Sequence, residues 1–307
     1  MGFILGTIIV IFSVIGGYVL SHGQLIMLFQ PFEFLIIGGA AIGAFIISSP
    51  TSLIKKVFKH IPLLFVSSKY NKESYLDLLG LIFTLLNKGK VNGMMALEKD
   101  IDEPESSGIF QRFPDILKHH RAMEFLTDYM RLIVSGVMNV HEVENLMDVE
   151  LDSFEEEAKQ VSSSIIHMAD GLPGFGIVAA VLGVVITMAS LNEPPEVLGM
   201  HIGAALVGTF LGILLSYGFV GPMGKSLEYK EKEEQRYLEC IKVCIIASLS
   251  DYTPQIAVEF GRKTIFSDVR PSFFELEQHV RSIRKVGSKP NASPEASSDS
   301  KPEKANE

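Results

Sequence analysis

Apolar residues in this chain gather into four long uncharged blocks separated by charged segments. Met1 to Phe32, Phe34 to Ile54, Gly171 to Asn192 and Val197 to Gly224 contain no Asp, Glu, Lys or Arg. An α-helix rises about 1.5 Å per residue, so about 20 apolar residues cross the hydrocarbon core of a bilayer. Each block is long enough, and the pattern predicts spans at 2–20, 33–50, 171–191 and 201–222. No basic residue precedes the first block and no small-x-small cleavage signal follows it, so it reads as a retained span, not a secretion signal. A tight loop at 21–32 joins the first pair of spans, and a loop at 191–200 joins the second.

Between the two pairs, apolar positions recur at helical spacing. Tyr75, Leu78, Leu79, Ile82, Leu85 and Leu86 form one stripe, and Val143, Leu146, Met147, Leu151 and Phe154 form another. Pro104 and Ser106 to Gly108 break the helices between them, and Pro114 stands near the next helix start. Lys225 to Leu249 is charged and helix-forming, and is predicted to prolong the fourth span as one long helix. From Val286 onward Ser, Pro, Lys and Glu dominate, a composition that buries too little surface to order itself. The expected fold class is an all-α membrane protein: four transmembrane helices, a helical cytoplasmic domain inserted between spans 2 and 3, and a cytoplasmic C-terminal helix. The expected divisions are a hairpin at 1–50, the inserted domain at 51–170, a second hairpin at 171–222, a helical region at 223–285 and a disordered tail at 286–307.

Charge supplies the orientation. Of 27 Lys and Arg residues, 13 lie between Pro50 and Asp170 and 14 after Pro222, leaving none for the amino terminus or the two short loops. The positive-inside rule therefore puts both charged regions and both termini in the cytoplasm. The net charge is −9, and residues 51–170 carry 19 acids against 13 bases, which argues against a nucleic-acid partner. Glu142 to Glu157 holds eight acids and no Lys or Arg, and reads as a solubilising surface. Cys240 and Cys244 stand one helical turn apart; with no His or third Cys nearby they read as a packed helix face, not a metal site. No P-loop, H-E-x-x-H, metal-ligand cluster or Ser, His and Asp constellation is present in the sequence, so neither an enzyme nor a cofactor is expected.

Small residues recur every four positions in three spans: Gly39 and Gly43; Gly176 and Ala180 beside Ala179 and Gly183; Gly208, Gly212 and Ser216. Such ridges let helix backbones approach closely in lipid, either within one chain or between subunits. No span carries an ionisable group near its middle. Glu33 and His201 are expected at membrane edges, solvated or snorkelled. Proton or cation transport through a bilayer usually needs an ionisable or oxygen-rich site at depth, and the spans of this chain lack the first. Pro173 is expected to open the third span in its first turn, where a missing N–H costs nothing. Pro222 falls inside a continuous helical run, where it should kink or hinge the helix. Thr209 lies mid-span, its hydroxyl either bonded back to its own helix or facing a pore.

These residues also carry a resemblance. "LPGFGIVAAVLGVV" at Leu172 to Val185, "LVGTFLGILLSYGFVGP" at Leu206 to Pro222, "IAVEFGRKTIFS" at Ile256 to Ser267 and "RPSFFELEQHVR" at Arg270 to Arg281 resemble the MotA family of flagellar motor stator proteins, within the MotA/TolQ/ExbB proton channel class. The resemblance implies a stator subunit in the bacterial inner membrane, assembled as a MotA homopentamer around a MotB dimer. MotB would supply both the membrane Asp and the cell-wall anchor, and the cytoplasmic domain would push on the rotor protein FliG. Residue by residue, it implies coupling roles for Pro173 and Pro222, rotor contacts at Lys90, Glu98 and Glu150, and ion-pathway positions at Ala180 and Thr209. Lys90 stands where the family more often has Arg; it keeps the charge but not the planar bidentate fork. Sodium-driven relatives carry Thr where this chain has Ala180, which supplies no side-chain oxygen to replace a hydration shell, so protons are the expected ion. The ExbB and TolQ energisers of outer-membrane transport resemble the third and fourth spans, but have three spans. The first hairpin and "VEFGRK" at Val258 to Lys263 argue against that alternative.

Overall fold

The computed structural model describes residues 2–136, 138–189 and 192–287. Every regular element among them is helical. Gly2–Leu20 (α1), a single turn at Leu25–Leu28 (α2) and Pro31–Ser48 (α3) make the first hairpin. The expected tight loop at 21–32 thus contains a helical turn. Thr51–His60 (α4), Lys72–Asn92 (α5), Glu98–Asp102 (α6), Pro114–Leu117 (α7) and His120–Ser135 (α8) follow. Val140–Ala189 (α9) is one helix of 50 residues. Pro195–Ile213 (α10), a π-helical segment at Leu214–Val220 and Gly221–Leu249 (α11) adjoin without a gap, and Pro254–Thr264 (α12) and Phe273–Gly287 (α13) complete the chain. The four uncharged blocks lie on four helical stretches long and apolar enough to cross a membrane. Residues 288–307 of the expected tail lie outside the described residues.

Two predicted features meet the structure differently. Lys225 to Leu249 does prolong the fourth apolar helix, but so does the chain before the third: α9 passes through 170 and 171 without a break. Pro173 is therefore interior to a helix, not in a first turn. Its missing N–H and its ring disturb the carbonyl of Ala169, one turn earlier.

The charged helices share one core centred on α5. Tyr75, Leu78, Leu79, Ile82, Leu85 and Leu86, the predicted stripe, are all buried. Around them pack α8, the first half of α9, the second half of α11, and α12 and α13. On α9 the buried seam is Val143, Met147 and Leu151, spaced four residues apart, and Leu146 points away at 42% exposure. A seam at strict four-residue spacing is narrow, and Leu146 lies a full helical step to its side. Tyr70, Tyr75, His119 and Tyr237 stack where α5, α8 and α11 meet, with ring centroids 5.1–5.3 Å apart. Such aromatic contacts add to the area they bury.

The acidic run keeps a solvated face, with Glu142, Asp152, Glu155, Glu156 and Glu157 all exposed, but several of its acids also take partners in this packing. Glu142 and Asn139 form a reciprocal cap at the start of α9 (2.9 and 3.1 Å). Asp148 pairs with the buried Lys242, Glu150 accepts a hydrogen bond from Tyr129 Oη (2.7 Å), Glu155 accepts one from Gln235 (2.6 Å) and Glu157 pairs with Lys56 (3.1 Å). The acids are spaced to meet neighbours that sequence order leaves far away.

The expected packed face at Cys240 and Cys244 is present: both are fully buried. Gly261 of α12 lies directly on their sulfurs, and a Cβ there would sit 3.1 Å from Cys240 O as well as against Cys244 Sγ. Gly261→Ala should therefore destabilise the protein by about 1–3 kcal/mol through overpacking. The check is the thermal midpoint of the purified protein, with Gly108→Ala as control, since a Cβ at Gly108 meets open space.

Candidate functional site

The membrane site is built from the antiparallel contact of α9 and α10. A Cβ at Gly176 would lie 2.9 Å from Gly208 O, 3.1 Å from Gly212 Cα and 3.4 Å from Thr209 Cα. One at Gly212 would lie 2.7 Å from Leu172 O, and one at Gly183 would lie 2.8 Å from Ala205 Cβ. The small-residue ridges of these two helices therefore serve packing within the chain. Gly39 and Gly43 of α3 differ: a Cβ at either meets nothing within 4 Å.

Continuing this register toward the charged domain, Gly221 comes to Ala169, with Cβ positions 3.9 Å apart, and Gly224 comes to Ile166. The π segment Leu214–Val220 thus lies opposite Pro173. Its geometry has a cause at Pro222, which has no N–H to donate and whose ring crowds the carbonyl four residues back. The wider turn accommodates this, and Gly221 N–H bonds Ser216 O, five residues earlier. The two prolines, more than 40 residues apart in sequence, disturb adjacent stretches of one helix pair.

Ala180 and Thr209 lie in the same layer. A Cβ at Gly208 would be 3.3 Å from Ala180 N and 3.2 Å from Ala179 Cβ, and Thr209 is the next residue along α10. Thr209 makes no side-chain hydrogen bond among the described residues, so its hydroxyl is not bonded back to its helix. Glu33 reaches this layer too: its Oε2 would be 2.8 Å from that Gly208 Cβ. Glu33 is only 9% exposed, and Oε2 has no hydrogen-bond partner. The expectation of a solvated edge residue is overturned. Glu33 starts near the end of its own helix, but α10 begins 13 residues before Gly208, so that end lies deep alongside the second hairpin.

The three charged candidates lie in the other domain and do not form one cluster. Lys90 closes α5 and Glu98 opens α6, joined by a corner in which Gly93 takes φ +85°, a left-handed value that favours glycine. Nearby charges are spent on bracing the corner: Lys88 pairs with Asp100, and Arg131 with Asp102 (2.9 Å). Lys90 and Glu98 stay exposed without an ion pair among the described residues, beside Val91 and Met95, which are 73% and 69% exposed. Glu150 is instead partly buried and held by Tyr129. No grouping of three or more His, Cys, Asp or Glu side chains that could hold a metal occurs among the described residues.

Residues 4–93 match the motility protein A N-terminal family model, and residues 118–240 match the MotA/TolQ/ExbB proton channel family. Motility protein A of Salmonella typhimurium is 50% identical over 281 residues, 92% of this chain and 95% of its own length. The Escherichia coli protein of that name is 47% identical over the same span. The chain belongs to the motility protein A family. The fold agrees: a chain of the C. jejuni MotAB structure superposes with a TM-score of 0.75, at 22% identity, covering 89% of this chain and 99% of that one.

Two motifs that carry the motility protein A resemblance prove to be a single clamp. Arg262 of "VEFGRK" is 6% exposed, grips both Glu259 oxygens (2.6 and 2.5 Å) and donates to Pro271 O (2.9 Å) of "RPSFF". Ser272 and Glu275 then cap α13 reciprocally (2.6 and 3.2 Å), and with Lys72 also donating, Glu275 is pushed down to about 2. This S-x-x-E signature was readable in sequence; the Arg262 contact was not.

Beyond Pro222, a cavity of about 420 Å³ opens between α9 and α11. Glu231 lines it with Oε1 unpartnered. Burial pushes its carboxyl up to about 7, against the pull of Ser162 and with Glu228 and Glu234 adding to the rise. The folded protein thus keeps a proton that the unfolded chain releases near 4.5, so this contribution to stability is present at low pH and lost as pH rises through 7. Glu231→Gln should flatten the fall in thermal midpoint between mildly acidic and mildly alkaline buffer.

Proposed function

We propose that this chain is the stator subunit of a bacterial flagellar motor, which with MotB forms a proton-conducting unit that converts ion flow into torque. The observation that carries the reading is mechanical. The third and fourth apolar helices run on unbroken into the charged domain, so displacement at the π segment is delivered to the core around α5. Both termini and the charged domain face the cytoplasm, because every Lys and Arg lies there. Residues 51–170, with the region after Pro222, form the working head.

Proton transfer to a membrane acid of MotB removes a charge from the bilayer, and the subunits of a homopentamer then step relative to that partner. Ala180 and Thr209 line the path; Ala180 offers no side-chain oxygen for a sodium ion, and the Thr209 hydroxyl is unspent. Pro173 and Pro222 act as the coupling points, since each removes a backbone bond where the two helices bear on one another. The exposed corner with Lys90, Val91, Met95 and Glu98 presents both charges and an apolar patch to FliG. Glu150, held by Tyr129, adds a weaker rotor contact. The first hairpin and the Arg262 clamp favour this over an ExbB or TolQ type of energiser.

Motor speed should follow the proton gradient and be indifferent to sodium when the two are varied separately; sodium dependence would overturn the ion assignment, and no dependence on either would overturn the function. Stators with Pro222→Ala, at normal protein level, should lose most torque. Wild-type torque in that variant would remove Pro222 from the coupling.

A further inference from the structure

Resting on the reading of the chain as a proton-conducting subunit, we infer that Glu33 is a second proton-binding group of the channel, carried by this chain itself at mid-membrane depth. Depth follows from its neighbours. The Gly208 position that Oε2 touches is also in contact with Ala179 and Ala180. Ala180 is ten residues from Asp170 and nine from the end of α9, about 14–15 Å of helix either way.

The ordinary uses of a glutamate at this position are not realised. Glu33 is the third residue of α3, where it would complete a capping box by accepting from the Gln30 N–H. That N–H instead donates to Leu28 O at 3.1 Å. Nor does Glu33 make an ion pair or hydrogen bond among the described residues. The packed faces of α9 and α10 offer no base within reach: the uncharged stretch of α9 has no titratable group, and α10 has only Glu196, in its first turn, and His201, two turns from Gly208. The first hairpin adds only Tyr18 and His22, in and just after α1. An isolated carboxylate in hydrocarbon is disfavoured and a neutral acid is not, so the group binds a proton there. Buried acids in membrane segments mark ion pathways, and this one shares its layer with Ala180 and Thr209. Protons drawn from the outer face are held at Glu33 and handed on along the path.

The test uses the full complex with its partner, reconstituted in proteoliposomes. Infrared difference spectra against pH should show a protonated carboxyl that disappears in Glu33→Gln and returns in Glu33→Asp. Proton flux in Glu33→Gln should fall several-fold when outside protons are scarce and recover toward wild type at acid pH. Dicyclohexylcarbodiimide, which adds to protonated carboxyls in apolar surroundings, should label Glu33 in the unaltered protein, located by mass spectrometry; this arm stands even if a variant fails to assemble. Wild-type liposomes that conduct protons, with Glu33 unlabelled and no infrared change in Glu33→Gln, would overturn the inference alone. Wild-type liposomes that conduct nothing would overturn the stator reading beneath it.

Discussion

The rest of the molecule depends on the backbone approach of α9 to α10. Lipid provides no hydrophobic force between apolar helices, so their association rests on close packing. Gly176, Gly208 and Gly212 permit it: a single Cβ at Gly176 or Gly212 would meet backbone atoms at 2.7–3.1 Å. This contact sets the register of the second hairpin. The register in turn brings the π segment opposite Pro173 and Gly221 onto Ala169, and the Glu33 side chain packs at Gly208, where no side chain excludes it.

α9, and α10 through the π segment and α11, carry that register far beyond the apolar blocks. At about 1.5 Å per residue, the 50 residues of α9 reach about 75 Å. Their distal halves supply Val143, Met147, Tyr237 and Ile241 to the core around α5, so the charged domain has no foundation independent of the membrane pair. A proline inside such a helix gives a local flaw in an otherwise stiff rod. In the proposed mechanism that is where displacement is generated and the rigid remainder is what transmits it.

Electrostatics divide along the same axis. In the charged domain, Asp148, Glu150, Glu155 and Glu157 have partners on other helices, and Arg262 and Glu259 join α12 to the segment before α13. Pairs of this kind contribute modestly where they are exposed, and they fix which helix faces meet. Lys90 and Glu98 are left over at a braced corner, as a surface for a partner requires. Glu33 is left over for a different reason, since the bilayer holds nothing for it to pair with.

The four long apolar helices, the apolar stripe on α5, the continuation of the fourth of them past Pro222 and the packed cysteine face were all legible in the residues, because each reports a periodicity or block length along a single helix. Family membership was legible for a similar reason: "LPGFGIVAAVLGVV" and "VEFGRK" are local strings. What the chain order could not reveal is how far one helix is displaced along another. Glu33 sits three residues into α3 and so read as a membrane-edge group, yet its side chain lies level with the middle of the uncharged blocks 171–192 and 197–224. Pro173 read as a helix start because hydropathy changes there, while backbone hydrogen bonding does not. The pairings within the acidic run were not legible because the partners, Lys242, Tyr129, Gln235 and Lys56, are 21 to 101 residues away. The sequence by itself determined which segments are helical and which can enter lipid, since both depend on the chemistry of neighbouring residues. Only the tertiary structure decided relative depth and pairing, since both are set by contacts between helices that the chain brings together after long detours.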